Sequence, residues 1–451
     1  MALPSVRPRG CGGVEDGESQ PLLKHNEDEG ILPKGSVLAA SVCLCKAAIG
    51  AGVLSIAARC AEVGFTFLLV ALAAGGVLTV VSIRMIGEAS IATGRWSFED
   101  ISDELFHPAV AVVTGLIQSA NCIGAAAAYL IICGQIFQVL TGAGDELLAP
   151  FVVACGVFIC LPMALARHLN FLRYVSVLSV AGLVFLVGAV AYILLRRGRD
   201  DTVSASTISH GDGRADLFVH MNCLNLVVFA YNNQFNVPQL TGELRPLGKE
   251  QVSKMANLST VSVFVLYVAV ALLGLLAFGV GDRQLDTLVL DMRPHAGSPV
   301  VAAALVMVMF STLMCFEFHI YPIRQFLAYT VRKVRGRQAG DEALDEQIWS
   351  VSVTRWIDVV CAVGVVAFSI VIAVHLKRVR LILDFVGAFA GAYTSYVIPP
   401  LWILRLRCRQ ASDAAGVSPY DSASLCWAVL AIGVFLFFFG TYAAICCSEP
   451  R

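Results

Sequence analysis

Apolar runs of about 20 residues recur from Gly35 almost to the end of this chain, each long enough to cross roughly 30 Å of hydrocarbon as a helix. A spanning segment must satisfy its backbone internally, so the choice is a helical bundle or a closed barrel. The ten-residue alternating segments of a barrel do not occur. An all-α membrane protein is therefore expected. The charge content agrees: 14% of the 451 residues are charged, against about 25% in a soluble domain.

Eleven spans are expected, at about 36–59, 64–88, 109–140, 149–166, 172–195, 217–240, 255–279, 298–330, 353–376, 380–404 and 423–446, with boundaries good to a few residues. The third and eighth exceed a bilayer's needs and should tilt or protrude. Between the second and third, Trp96 to Phe106 reads as a short amphipathic interfacial helix. Residues 1–34, acidic and Gly/Pro-punctuated, read as a disordered cytoplasmic tail ahead of a membrane domain over 35–447. Lys and Arg in alternate loops number 18 against 11 when the N-terminus is placed in the cytoplasm, which favours that orientation. Asn257 lies in a glycosylation sequon that this orientation leaves on the cytoplasmic side.

Several classes are disfavoured. A net charge of −1 without a basic, aromatic-interleaved patch argues against nucleic acid. The fifteen cysteines fall mostly inside apolar runs without CxxC spacing, as small buried hydrophobes do; no metal or cofactor site is expected. No HExxH, GxSxG or interfacial carboxylate pair marks an enzyme, and no ring of repeated charges marks a channel.

Two spans are interrupted. In the first, Ile49-Gly50-Ala51-Gly52-Val53 places two glycines within one turn, where glycine costs about 1 kcal/mol relative to alanine. Packing through small residues is the plain alternative. In the sixth, Tyr231-Asn232-Asn233-Gln234 is a polar run at mid-depth followed by Pro238. Interruptions at corresponding positions of two halves point to a transporter's binding site. An unwound segment offers N–H groups to a carboxylate and carbonyls to an ammonium or a cation, the two charges of an amino acid. Asn121 and Gln118 share a face of the third span and can line the same pocket or serve interhelical hydrogen bonds.

At these residues the chain resembles the amino acid/auxin permease family. The match is carried by Lys46-Ala47-Ala48-Ile49-Gly50-Ala51-Gly52-Val53-Leu54, by Asn236-Val237-Pro238-Gln239-Leu240-Thr241-Gly242-Glu243-Leu244, and by Ile320-Tyr321-Pro322-Ile323-Arg324. The tail and the Asn236-Val237-Pro238-Gln239 stretch are similar to its protozoan-parasite branch. The resemblance implies a leucine-transporter-like five-plus-five inverted repeat (helices 1–5 over about 36–195, helices 6–10 over about 217–404) with an eleventh helix, and alternating-access transport of amino acids. An amino-acid-binding sensor acting through partners is the second reading.

Sodium-coupled members carry asparagine where this chain has Lys46, beside a sodium site between helices one and eight. The resemblance thus implies sodium-independent transport, proton-coupled or facilitative, with Ser311, Thr312 and Cys315 on helix eight nearby. Lys46 lies about ten residues, roughly 15 Å, into its span. It reads either as a fixed cation or as a group that loads and releases a proton, with Glu317 as the expected partner. Glu317 and His319 point to different faces. Asp384 and Asp358 read as structural ion pairs, and Tyr393 to Tyr396 as packing or a gate. In the tail, Glu18, Leu22 and Leu23 fit an acidic dileucine sorting motif, so sorting adaptors and either the plasma membrane or a lysosome- or vacuole-like membrane are expected.

Overall fold

The structure, a computed structural model, describes residues 35–165, 169–196, 216–279, 287–339, 351–376, 378–410 and 423–447. The dileucine residues Glu18, Leu22 and Leu23 lie outside the described residues. Among the described residues, nine helices are long and apolar enough to cross a membrane, and one further pair bent by 56° makes a tenth crossing.

The first segment is α1 (Val37–Ala48) and α2 (Ala51–Val63). Ser36 caps α1 by accepting from the Ala39 amide at 3.1 Å. A single residue, Gly64, joins α2 to α3 (Phe65–Thr93); its φ of +82° is open to glycine at little strain. The interfacial helix is α4 (Phe98–Leu105), capped by Ser97, with Glu99 and Asp100 in the first turn facing the positive end of the helix dipole. Next come α5 (Pro108–Thr141), α6 (Asp145–Leu165) and α7 (Leu169–Arg196).

The second half repeats this plan. An interrupted helix, α8 (Leu217–Ala230) and α9 (Val237–Glu243), precedes α10 (Lys249–Phe278). A short helix, Leu288–Asp291, stands where α4 stands in the first half. Then follow α11 (Pro299–Ala339), α12 (Val351–His375) and α13 (Val379–Arg409), with α14 (Ala423–Cys446) outside the repeat. The third helix is the longest in each half, at 34 and 41 residues. The short helices follow the second and the seventh crossing. With the interrupted α8–α9 segment counted as a crossing beside those ten, five separate them, so they lie at opposite ends of the bundle. This is the inversion that the family resemblance implies.

The eleven expected segments all form. The sixth, α8 with α9, is too broken to count as one continuous helix. One core joins the α1–α2 segment to α5, α7, α8, α10 and α11, and a second lies among α3, α4, α13 and α14. Asn257 accepts a hydrogen bond from Arg84 at 3.0 Å. Buried Cys60, Cys122, Cys155 and Cys223 are free thiols.

Candidate substrate and cation site

Gly50 breaks the first helix by close approach. A Cβ there would stand 2.5 Å from the Tyr129 phenol oxygen of α5, and one at Gly52 would stand 2.9 Å from the Ala230 backbone at the end of α8. Only glycine lets the chain pass both. The break exposes both helix ends: Ala51, Gly52 and Val53 carry the first N–H groups of α2, and Gly50 offers no side-chain cap. Such N–H groups lack intrahelical partners and suit a carboxylate. Ile49, Ala51 and Val53 are buried.

The second break runs through Tyr231, Asn232 and Asn233 before a 3₁₀ turn at Gln234–Asn236. Its side chains hold it to the first: Asn233 Nδ2 donates to the Leu44 carbonyl of α1 at 3.3 Å, and Asn232 Nδ2 donates to Asn121 Oδ1 of α5 at 2.6 Å. Capacity remains. Asn232 Oδ1, Asn233 Oδ1, Asn121 Nδ2, the Gln118 amide and the Tyr231 phenol are all buried without a hydrogen-bond partner. A buried polar atom left unpaired costs about 1–3 kcal/mol, so several around two helix ends mark a polar ligand's seat. Both acceptors and donors are on offer, as a zwitterion requires.

Lys46 is fully buried in the last turn of α1, at the negative end of its dipole. Its Nζ donates to the Ser311 carbonyl at 2.6 Å and to Ser311 Oγ at 2.8 Å. Cys315 lies one turn on, its thiol 3.6 Å from the Ile49 carbonyl and 3.9 Å from that of Lys46. Another turn on, His319 Nδ1 donates to the Cys315 carbonyl at 3.0 Å, and Tyr129 lies 3.5 Å from its Nε2. Ser311, Cys315 and His319 thus form one stripe toward the first break. Thr312 turns back to its own helix, bonding the Val308 carbonyl.

The expected Lys46–Glu317 pairing does not form. Glu317 lies off the stripe, and its ion-pair partner is Arg324, at 4.0 Å. Two residues along a helix turn a side chain by roughly 200°, which puts Glu317 on the far side from Lys46.

Sequence reasoning missed Tyr267 on α10. Its phenol oxygen lies 2.8 Å from the Ala48 carbonyl and 2.7 Å from the Ala230 carbonyl, the last residues of the two half-helices. One hydroxyl therefore ties both breaks together. Its only sequence signal is a tyrosine in the middle of an apolar run.

The two ends of the bundle close differently. At one, buried Arg59 of α2 pairs with Asp384 of α13 and, at 3.2 Å, with Glu62, which also pairs with Arg380. The ion pair expected at Asp384 is thus made with α2. At the other end, α4 is clamped: Asp103 pairs with Lys333 at 2.6 Å and Asp100 with Arg332 at 3.3 Å, while Ser102 accepts from Trp402 at 3.1 Å. Glu99 of α4 turns inward, and burial, aided by neighbouring Asp100, pushes its carboxyl up to about 7. Tyr393 meets Thr114 at 3.0 Å, and Thr394, Ser395 and Tyr396 are buried in the second core's neighbourhood.

Comparisons with known proteins accord with this geometry. The sequence model of a family described as "Transmembrane amino acid transporter protein" matches residues 33–446. The chain is 22% identical to vacuolar amino acid transporter 5 of Schizosaccharomyces pombe, over 81% of this chain and 83% of that one. It is 24% identical to vacuolar amino acid transporter 6 of Saccharomyces cerevisiae, over 70% and 77%. Among solved structures it is similar to the inward-facing conformation of Mhp1, with a TM-score of 0.52, 14% identity, and 92% and 91% of the two chains covered. The last likeness bears on fold alone, the leucine-transporter-like fold.

Proposed function

This chain belongs to the transmembrane amino acid transporter family, and from that premise we propose that it is a sodium-independent secondary carrier of zwitterionic amino acids working by alternating access. The substrate carboxylate lies on the N–H groups of Ala51, Gly52 and Val53. Its ammonium meets Asn232 Oδ1 and Asn233 Oδ1, while Asn121, Gln118 and Tyr231 contact the remainder.

One observation carries the sodium independence: Lys46 Nζ sits 2.6 Å from the Ser311 carbonyl between α1 and α11. Unwound carbonyls and half-helix C-termini are where such folds hold a coupling cation. Here a protein amine stands on the Ser311 carbonyl and hydroxyl of α11, beside the first break, and the Tyr267 hydroxyl caps the Ala48 and Ala230 carbonyls. A sodium ion 4 Å from an ammonium would be repelled by about 4 kcal/mol at an effective dielectric near 20. Transport is proton-coupled or facilitative. The vacuolar names of the relatives favour the acidic-organelle membrane over the plasma membrane, with the N-terminus cytoplasmic.

Purified full-length protein in proteoliposomes tests this by uptake of an equimolar mixture of radiolabelled amino acids, with sodium replaced by choline. The expected result is equal uptake in both salts. Uptake that collapses in choline overturns the proposal.

A further inference from the structure

Lys46 is fully buried, and the helices packed most closely on α1, namely α7, α10 and α11, offer it no carboxylate. Neither α1 nor α7 contains an acidic residue. The single acid of α10, Glu250, sits in the exposed first turn and pairs with Lys254 at 2.7 Å. The single acid of α11, Glu317, lies 4.0 Å from Arg324, which also meets Asp358 of α12 at 3.8 Å. The titratable groups facing the amine are the Cys315 thiol and the His319 ring of α11. Tyr267 of α10 is committed to the Ala48 and Ala230 carbonyls, and Cys45 of α1 turns to the Ser259 carbonyl at 3.4 Å.

A charge taken out of water without a counter-charge is ordinarily relieved by a change of protonation. Two features of the site oppose each other here. The negative end of the α1 dipole supports the ammonium. The hydrogen bonds fit the amine, whose two N–H groups find two acceptors, the Ser311 carbonyl at 2.6 Å and Ser311 Oγ at 2.8 Å. The third N–H of an ammonium is left with the Cys315 sulfur, a weak acceptor. A proton-carrying water has a seat close by. Ser311 Oγ stands 3.5 Å from the Ser179 carbonyl of α7, and the Ser179 hydroxyl is buried without a hydrogen-bond partner.

We propose that Lys46 is a reversible proton-binding site, walled by α1, α7 and α11 and separate from the amino acid seat. The nitrogen lone pair takes one proton from water on one side of the membrane and returns it to water on the other. In either form an N–H holds the Ser311 carbonyl, so that carbonyl stays closed to sodium throughout. The ammonium pins the end of α1 to α11, and the amine loosens it. This use in coupling rests on the carrier reading; the binding of the proton does not.

The chain has seven lysines, few enough to follow one by one. Full-length protein with isotope-labelled lysine side-chain nitrogens, in lipid, is titrated between about pH 5 and 9, where exposed lysines stay ammonium. Solid-state NMR separates ammonium from amine nitrogens. A signal that passes from ammonium to amine, and is missing from both Lys46→Met and Lys46→Arg, supports the site. A Lys46 signal that keeps one form across the range overturns the proposal, as does a titrating signal that survives in both variants. The same preparations then take up the labelled amino acid mixture with and without an imposed pH gradient. Loss of the gradient response in Lys46→Met and in Lys46→Arg, whose charge cannot be released, places the proton in the transport cycle. A response equal to wild type overturns that role. A titrating Lys46 in a protein that moves no amino acid contradicts the carrier reading and leaves the proton site standing.

Discussion

The two helix breaks do the same job by opposite means. The first is made of absence: Gly50 and Gly52 lack the Cβ atoms that would strike Tyr129 and Ala230, and backbone does the work. The second is made of side chains: Asn232 and Asn233 reach Asn121 and the Leu44 carbonyl and still keep unpartnered oxygens. A glycine break places N–H groups and carbonyls close to a ligand. An asparagine break brings specificity, because side chains can be aimed. A zwitterion with a variable side chain needs both.

This contrast predicts a graded set of failures. Gly50→Val should have the largest effect, abolishing uptake, because its Cβ stands 2.5 Å from the Tyr129 oxygen and overpacking costs about 1–3 kcal/mol. The milder Gly50→Ala should recover part of its uptake when Tyr129→Phe removes that oxygen, read as uptake and thermal midpoint together. Failure to recover would mean that backbone freedom, not space, is what Gly50 supplies.

Tyr267→Phe comes next, since it strips the shared donor from the Ala48 and Ala230 carbonyls. Stability should fall by about 1–3 kcal/mol, and uptake should fall with it, because the hydroxyl holds the breaks in register. A normal thermal midpoint would sever the link between the two.

Asn232→Ala should act more narrowly, raising the half-saturating concentration several-fold with little change in folding, as expected for one hydrogen bond of about 1 kcal/mol. A change as global as that at Gly50 would erase the distinction between the breaks.

Smallest for transport is a change remote from both. Glu99 is buried and titrates near 7, above an unfolded value of about 4.3. The folded state therefore binds more protons across that window, and stability is lost as pH rises through it. Glu99→Gln should flatten this slope in thermal denaturation and leave substrate competition unchanged.

Most of the fold was legible in the sequence because lipid permits few answers. Apolar length gave the spans, glycines and a polar run gave both breaks, and the amphipathic pattern from Trp96 to Phe106 gave α4. The cradle was half legible. Asn121, Asn232 and Asn233 stood out as polar residues in apolar runs, and the structure joins them. Partners were harder. Lys46 was conspicuous, but choosing between Ser311 and Glu317 requires the rotation of α11 against α1, which no single helix encodes. Tyr267 resembles any packed aromatic until two carbonyls from distant segments meet at its hydroxyl. Arg59 was overlooked beside the glycines that precede it, and its partner Asp384 lies 325 residues away.

Recognition of both charges of a free amino acid between α2 and the asparagine break is the claim on which the rest depends. The direct measurement is competition against labelled uptake by matched pairs: each amino acid beside its N-acetyl derivative and its methyl ester. Blocking either charge should abolish competition while the parent compound competes. Derivatives that compete as well as their parents would show that the cradle does not read a zwitterion.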